Sequence, residues 1–214
     1  MNIIEFLTIL RKNNNRDWFN ENKHLFLETR DQFLVMVDAI LKGLEEIDPS
    51  VRGQESKDTI YRIYRDVRFS KNKLPYKSHF GAFFAPGGRR STKAGYYIRI
   101  EPGNCIIGGG LHCPKGEVLK EVRFEIYNHA DEFGKIINAN SFKKAFGTLR
   151  GDKLKRPPKG FPGEFPQIEW LKHKDFIAVN PVSDEMVMSE NFVPYVLEVF
   201  SIMKPLNDFI NRAI

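Results

Sequence analysis

Residues 95–101 and 104–111 are two β-favouring runs separated by Pro102-Gly103. A Pro-Gly pair between such runs predicts a hairpin, and a hairpin forces its strands to be antiparallel. Residues 80–85 read as a further strand, closed by Pro86-Gly87-Gly88. Residues 60–64 can begin another. A late strand is expected over 176–179, ended by Asn180-Pro181. Helical periods bracket these runs. Phe33, Leu34, Val37, Ile40, Leu41 and Leu44 recur at three and four, which predicts a long amphipathic helix ending at Asp48-Pro49. Val196, Val199, Phe200, Met203, Leu206, Phe209 and Ile210 predict a C-terminal helix, with Pro194 in its first turn and Pro205 expected to kink it. Strands joined by tight turns and flanked by helices predict an α+β fold with an antiparallel or mixed central sheet.

Local signals fill in the rest. Asn2 and Glu5 have the spacing of a capping box, and Asn15 can cap the helix opened by Trp18 and Phe19. Pro114 suits a helix start. A short helix is expected over 131–139, and Ser141 can cap another that ends at Gly147. Residues 155–163 hold three prolines and two glycines and are expected to form a stiff surface connection. No linker divides the chain. The 214 residues are read as one domain with a helical part (1–48), a strand-rich part (60–111) and a mostly helical part (114–214).

The composition narrows the class. A hydrophobic fraction of 42 %, including 18 Phe, supports a sizeable core rather than disorder. No apolar run approaches the roughly 18 residues of a membrane span. The N-terminus lacks a basic region before its apolar stretch, and Glu5 interrupts that stretch, so no signal peptide is expected. Cys105 and Cys113 form no disulfide framework, which suits a cytoplasmic setting.

The net charge of +6 conceals a segregation. Residues 61–99 carry ten Lys/Arg and only Asp66, and residues 143–160 carry seven and only Asp152. The remainder of the chain is net acidic. Two basic islands on an acidic molecule point to an anionic partner. The densest run is 61–79. Arg65, Asp66 and Arg68 can form a local Arg–carboxylate arrangement, and guanidinium binds carboxylate or phosphate with a planar fork. Ser70, Lys73, Tyr76 and Lys77 can donate to the same anion, with Pro75 stiffening the loop. The same residues also suit a structural Arg–Asp–Tyr network with solvated lysines. Asp66 and His79 offer a carboxylate–imidazole pair for acid–base work, although their spacing does not require them to meet. Arg156 and Lys159 represent the second island.

Other motifs are absent. Residues 86–93 carry glycines, hydroxyls and cations without the Walker spacing, and read as a mobile hairpin tip. Gly108-Gly109-Gly110 lacks a dinucleotide fingerprint, but glycines in a strand permit close approach and can floor a pocket. His24, His79, His112, His129 and His173 are scattered, and His112 and Cys113 would point to opposite faces of an extended chain. No metal site and no cofactor are expected. No nucleophile elbow or RNA-binding signature is present.

The run R-I-Y-R-D-V-R-F-S-K-N-K-L-P-Y-K at 62–77, followed by G-Y-Y-I-R-I-E-P-G at 95–103 and G-G-G-L at 108–111, carries a resemblance. So do N-N-N-R-D-W-F at 13–19, K-L-K-R-P-P-K-G-F at 153–161 and K-P-L-N-D-F at 204–209. The chain resembles a bacterial and fungal family of uncharacterised proteins, the domain-of-unknown-function family numbered 2461, over nearly its full length. The resemblance implies a single full-length domain and carries over no catalytic residue, activity or ligand. Cys105, Cys113 and His112 stand outside its pattern.

The leading expectation is a soluble module that binds a phosphorylated ligand or nucleic acid through 61–79 and 153–160. An enzyme acting on a small anionic substrate, with Asp66, Tyr76 or His79 as the acid–base group, is the first alternative. A scaffold whose basic islands meet an acidic protein is the second.

Overall fold

A computed structural model describes all residues, 1–214. The chain begins with three helices, α1 (Ile3–Lys12), α2 (Arg16–Glu21) and α3 (Lys23–Ile47), followed by a 3-10 turn and the short α4 (Ser56–Thr59). Asn2 and Glu5 form the expected capping box on α1, and Asn15 Oδ1 accepts from Trp18 N at the start of α2. The helix capped by Asn15 and the long amphipathic helix are separate elements, divided at Asn22, whose backbone leaves the helical region and whose side chain donates to Trp18 O. Asp48 then stops α3 by turning its carboxylate onto Ser50 N.

Four strands follow the order β1 (Phe80–Phe84), β2 (Gly95–Ile100), β3 (Cys105–Leu111) and β4 (Phe176–Val182), each antiparallel to its neighbour. The sheet is therefore purely antiparallel. Residues 60–64 make only isolated bridges, Ile60 to Ala82 and Tyr64 to Tyr76, and do not extend it. β4 runs past the predicted stop at Asn180-Pro181. It is a terminal strand of the sheet order, and an edge accepts a proline where a central ladder does not.

Between β3 and β4 lie α5 (Gly116–Asn128), α6 (Ala130–Asn138), α7 (Asn140–Phe146) and α8 (Ile168–Leu171). α5 begins two residues beyond Pro114, and Ser141 lies inside α7 rather than at its cap. Gly147 ends α7 with φ of 71°, a conformation open to glycine at little cost. α9 (Asp184–Val187) and α10 (Phe192–Asn211) complete the chain.

Strand alternation sorts the sheet into two faces. Ala82, Phe84, Tyr96, Ile98, Ile100, Ile107, Phe176 and Ala178 are buried. Helices α3 and α10 pack against the sheet and against each other, so Phe33, Val37, Ile40, Val199, Phe200 and Met203 join one continuous core of 42 residues. The continuity of that core makes the α+β unit a single domain. Polar contacts tie helix to sheet: Tyr96 Oη donates to Asp48 Oδ2 at 2.8 Å, and Asn207 Nδ2 donates to Gly95 O at 3.1 Å. No helix is long and apolar enough to cross a membrane.

A basic basin on the second face of the sheet

The second sheet face belongs to the alternate residues. Phe83, Tyr97, Gly108 and Val179 form one cross-strand row; Gly95, Gly110 and Ile177 form the next. β3 contributes no side chain at 108 or 110, so a trough runs between Tyr97 and Val179. These glycines answer to the backbone. A Cβ on Gly108 would collide with Ala178 O and one on Gly110 with Phe176 O, because β4 crosses too closely. The bare floor is a by-product of that approach.

The trough is the bottom of a basin of about 680 Å³. Its walls come from three segments. Lys77 and His79, two residues apart on an extended stretch, enter from one side. Arg89, Ser91, Thr92 and Lys93 enter from the β1–β2 connection, and His112, Cys113 and Lys115 from the chain beyond β3. Arg99 rises from the floor. A second cavity of about 490 Å³ adjoins it, sharing Tyr61, Lys77 and Arg89 and adding Arg30, Lys57, Arg62 and Arg90. Neither lining contains an Asp or Glu.

Tyr61 is the post between the cavities. Its ring holds Lys77 Nζ at 5.3 Å and the Arg89 guanidinium at 5.0 Å, and it meets Tyr97 edge-on at 6.3 Å. Arg89 is fixed further by its Nε, which donates to Asp58 O at 3.0 Å. Lys77 has no carboxylate or hydrogen-bonding partner for its ammonium. Burial, then the charges of Arg62 and Arg89, push its pKa below the ordinary lysine value. Burial also lowers the pKa of His79; Lys77 and Arg99 add to this, and Glu101 opposes it. His79 therefore favours its neutral form at neutral pH. Glu101 stands behind the wall, where it accepts from Ser78 Oγ at 3.0 Å and lies 3.5 Å from Arg99 Nε.

Most of the residues proposed from the sequence lie elsewhere. The 61–79 segment is a long, loosely paired excursion, with Arg65 N donating to Pro75 O and Lys77 N to Ile63 O. Its tip consumes its own cations. Arg68 forks onto Asp66 at 2.7 and 3.0 Å, Arg65 donates to Leu74 O and Ser70 Oγ, and Lys73 Nζ donates to Val67 O. Tyr76 is in the core, stacked on Phe19 at 3.9 Å. Asp66, Tyr76 and His79 thus occupy a solvent-facing tip, the core and the basin, and do not form one acid–base constellation. Arg156 and Lys159 are exposed and line neither cavity. Of the candidate anion-binding residues, only Lys77 and His79 reach the basin, whose floor includes the Gly108–Gly110 run that the sequence reads as able to floor a pocket.

The sequence weighs Arg89 and Lys93 within the 86–93 connection but reads it as a hairpin tip, whereas its cations line the basin; Arg99 and Lys115 carry no candidate role in the sequence. For Arg99 a signal existed: in 95–100, Tyr97 and Arg99 alternate with buried Tyr96, Ile98 and Ile100. The expectation that His112 and Cys113 diverge also fails. It assumed extended backbone, and Cys113 has φ of 48°.

No curated protein and no solved structure matches this chain. The family model described as "Conserved hypothetical protein (DUF2461)" matches residues 2–209, nearly the full length that carries the basin and its supporting helices, and the chain belongs to that family.

Proposed function

We propose that the basin binds a phosphorylated small molecule with an apolar or planar body. The observation that carries this reading is Lys77: a half-buried ammonium without a partner, between two guanidiniums, at the junction of two cavities without acids. Like charges held together in a poorly solvated place raise the energy of the empty site, and a phosphate relieves that cost through charge-assisted hydrogen bonds. Phe83, Tyr97, Ile106, Ile177 and Val179 line an apolar floor beside the cations. A ligand with a phosphate head and an apolar or planar body matches both regions.

Titration calorimetry at low salt against nucleotides, sugar phosphates and pyrophosphate tests the proposal. A ligand is expected whose affinity falls about 10- to 100-fold in Lys77→Met and in Arg89→Ala, the loss of one charged hydrogen bond. The melting temperature should not fall with it. The proposal is overturned if no phosphorylated compound binds, or if binding ignores both substitutions. Oligonucleotide binding lost only in an Arg65→Ala, Lys73→Ala variant would move recognition to the loop tip and reject the basin.

A further inference from the structure

We propose that His112, Cys113 and Asp175 form a site for a borderline-soft divalent cation of the zinc class, at the rim of the basin. The sheet register brings the three together. Leu111 pairs with Phe176 at the end of the β3–β4 ladder, so the residues just past β3 lie beside the residue just before β4. Consecutive side chains on a straight strand diverge, but Cys113 bends the chain. It is the sole non-glycine residue with positive φ, a conformation that costs a non-glycine residue on the order of 1 kcal/mol. The bend swings the thiol to the imidazole side. Asp175 accepts from Cys113 N at 2.5 Å, which holds one carboxylate oxygen in place. Gly151 leaves the room this carboxylate needs, since a Cβ there would stand 2.8 Å from Asp175 Cβ.

The distances fit a metal polyhedron. Tetrahedral bonds of about 2.0 Å to N and O and 2.3 Å to S place donor atoms roughly 3.3–3.6 Å apart. His112 Nδ1 lies 3.3 Å from Asp175 Oδ1 and 3.7 Å from Cys113 Sγ, and one donor atom from each residue falls within 4.8 Å of the others. One nitrogen, one thiolate and one carboxylate suit zinc better than a hard cation such as magnesium. Three protein donors leave a fourth position. His112 and Cys113 both line the basin, so that position faces the acid-free cavity, where a water or an anionic ligand oxygen can complete the shell. The site goes beyond phosphate recognition and does not depend on it.

The test is a cobalt(II) titration of the reduced, full-length protein in phosphate-free buffer. The expected result is one ion per chain, with the near-ultraviolet thiolate-to-cobalt band and the visible bands of a four-coordinate ion, both bleached by added zinc. The thiolate band should vanish in Cys113→Ser and persist in Cys105→Ser, whose sulfur is at the opposite end of β3. Binding should weaken at least about tenfold in His112→Ala, where an exposed ligand is lost without touching the core. The proposal is overturned by the absence of a thiolate band at saturating cobalt, by its persistence in Cys113→Ser, or by full-strength binding in both His112→Ala and Asp175→Asn. The last result would reduce the site to a single surface thiol. Because no phosphorylated ligand is present, failure here and failure of the phosphate reading are separate results.

Discussion

Tyr96 donates its phenolic proton to Asp48 at 2.8 Å, joining the central strand β2 to the end of the long helix α3. Asp48 is 4 % exposed. Burial works to raise its pKa, but donors from Ser50 and Tyr96 outweigh it and hold the carboxyl below its ordinary value. Tyr96→Phe leaves a buried carboxylate short of one donor and should cost about 1–3 kcal/mol at pH 7. A carboxyl with a depressed folded pKa contributes stability above its unfolded value of about 3.9 and loses it as pH falls through the folded pKa. The gap between wild type and Tyr96→Phe should therefore narrow below about pH 4 in urea titrations. A gap that is independent of pH would show that the hydroxyl acts by packing alone.

Tyr76 and Arg68 belong to one segment but to different environments. Tyr76→Ala removes a ring stacked on Phe19 and should cost about 3–5 kcal/mol in chemical denaturation. Arg68→Ala removes an exposed pair and should leave the denaturation midpoint unchanged. Equal losses at the two positions would make the loop tip part of the folded framework.

His173 is 4 % exposed, and burial followed by the charge of Lys153 lowers its pKa to about 4. A base with a depressed folded pKa binds more protons when unfolded. Stability should thus fall as pH drops from about 6.5 toward the folded value, by roughly 3 kcal/mol if the full shift is expressed. His79 contributes with the same sign. His173→Gln should flatten most of that slope in melting curves recorded between those pH values. An unchanged slope would place the proton uptake elsewhere.

Gly110 and Gly88 both have positive φ, at 102° and 84°. A Cβ on Gly88 meets nothing within 4 Å, whereas one on Gly110 collides with the Phe176 carbonyl. Gly88→Ala should cost about 1 kcal/mol from conformation alone. Gly110→Ala should exceed it by at least about 1–3 kcal/mol, because β4 must move. Thermal melting of the two variants side by side decides the matter, and equal losses would refute the close crossing.

Short-range patterns were the legible part of this chain. The capping of α1 by Asn2 and Glu5, the period from Phe33 to Leu44 and the hairpin at Pro102-Gly103 depend on neighbours a few residues apart. The extension of β4 through Pro181 was not legible, because edge position depends on the whole strand order. The basin was hidden for a related reason. Charge density is highest around Arg65, Arg68 and Lys73, yet those groups are satisfied by their own loop. The basin is assembled from short stretches: Lys77 with His79, the 89–93 connection, Arg99 and the 112–115 bend share no local motif, although the first three lie within the 61–99 basic island. Cys113 and Asp175 meet only through a ladder that spans more than sixty residues of chain.

Tyr76 and Lys77 are consecutive, and one is anchored where the other is needed. Asn14 clasps the Tyr76 backbone from both sides, accepting from its N–H at 3.1 Å and donating to its carbonyl at 3.0 Å, while Phe19 pins the ring. The ammonium next door is thus held as the far arm of a lever whose fulcrum is the core. If the basin binds a phosphorylated ligand as proposed, that ligand meets a backbone already fixed beside Lys77 and forgoes part of the entropy of ordering it. Loosening Asn14, in the turn between the first two helices, should then weaken the proposed grip one residue beyond the anchor, at Lys77.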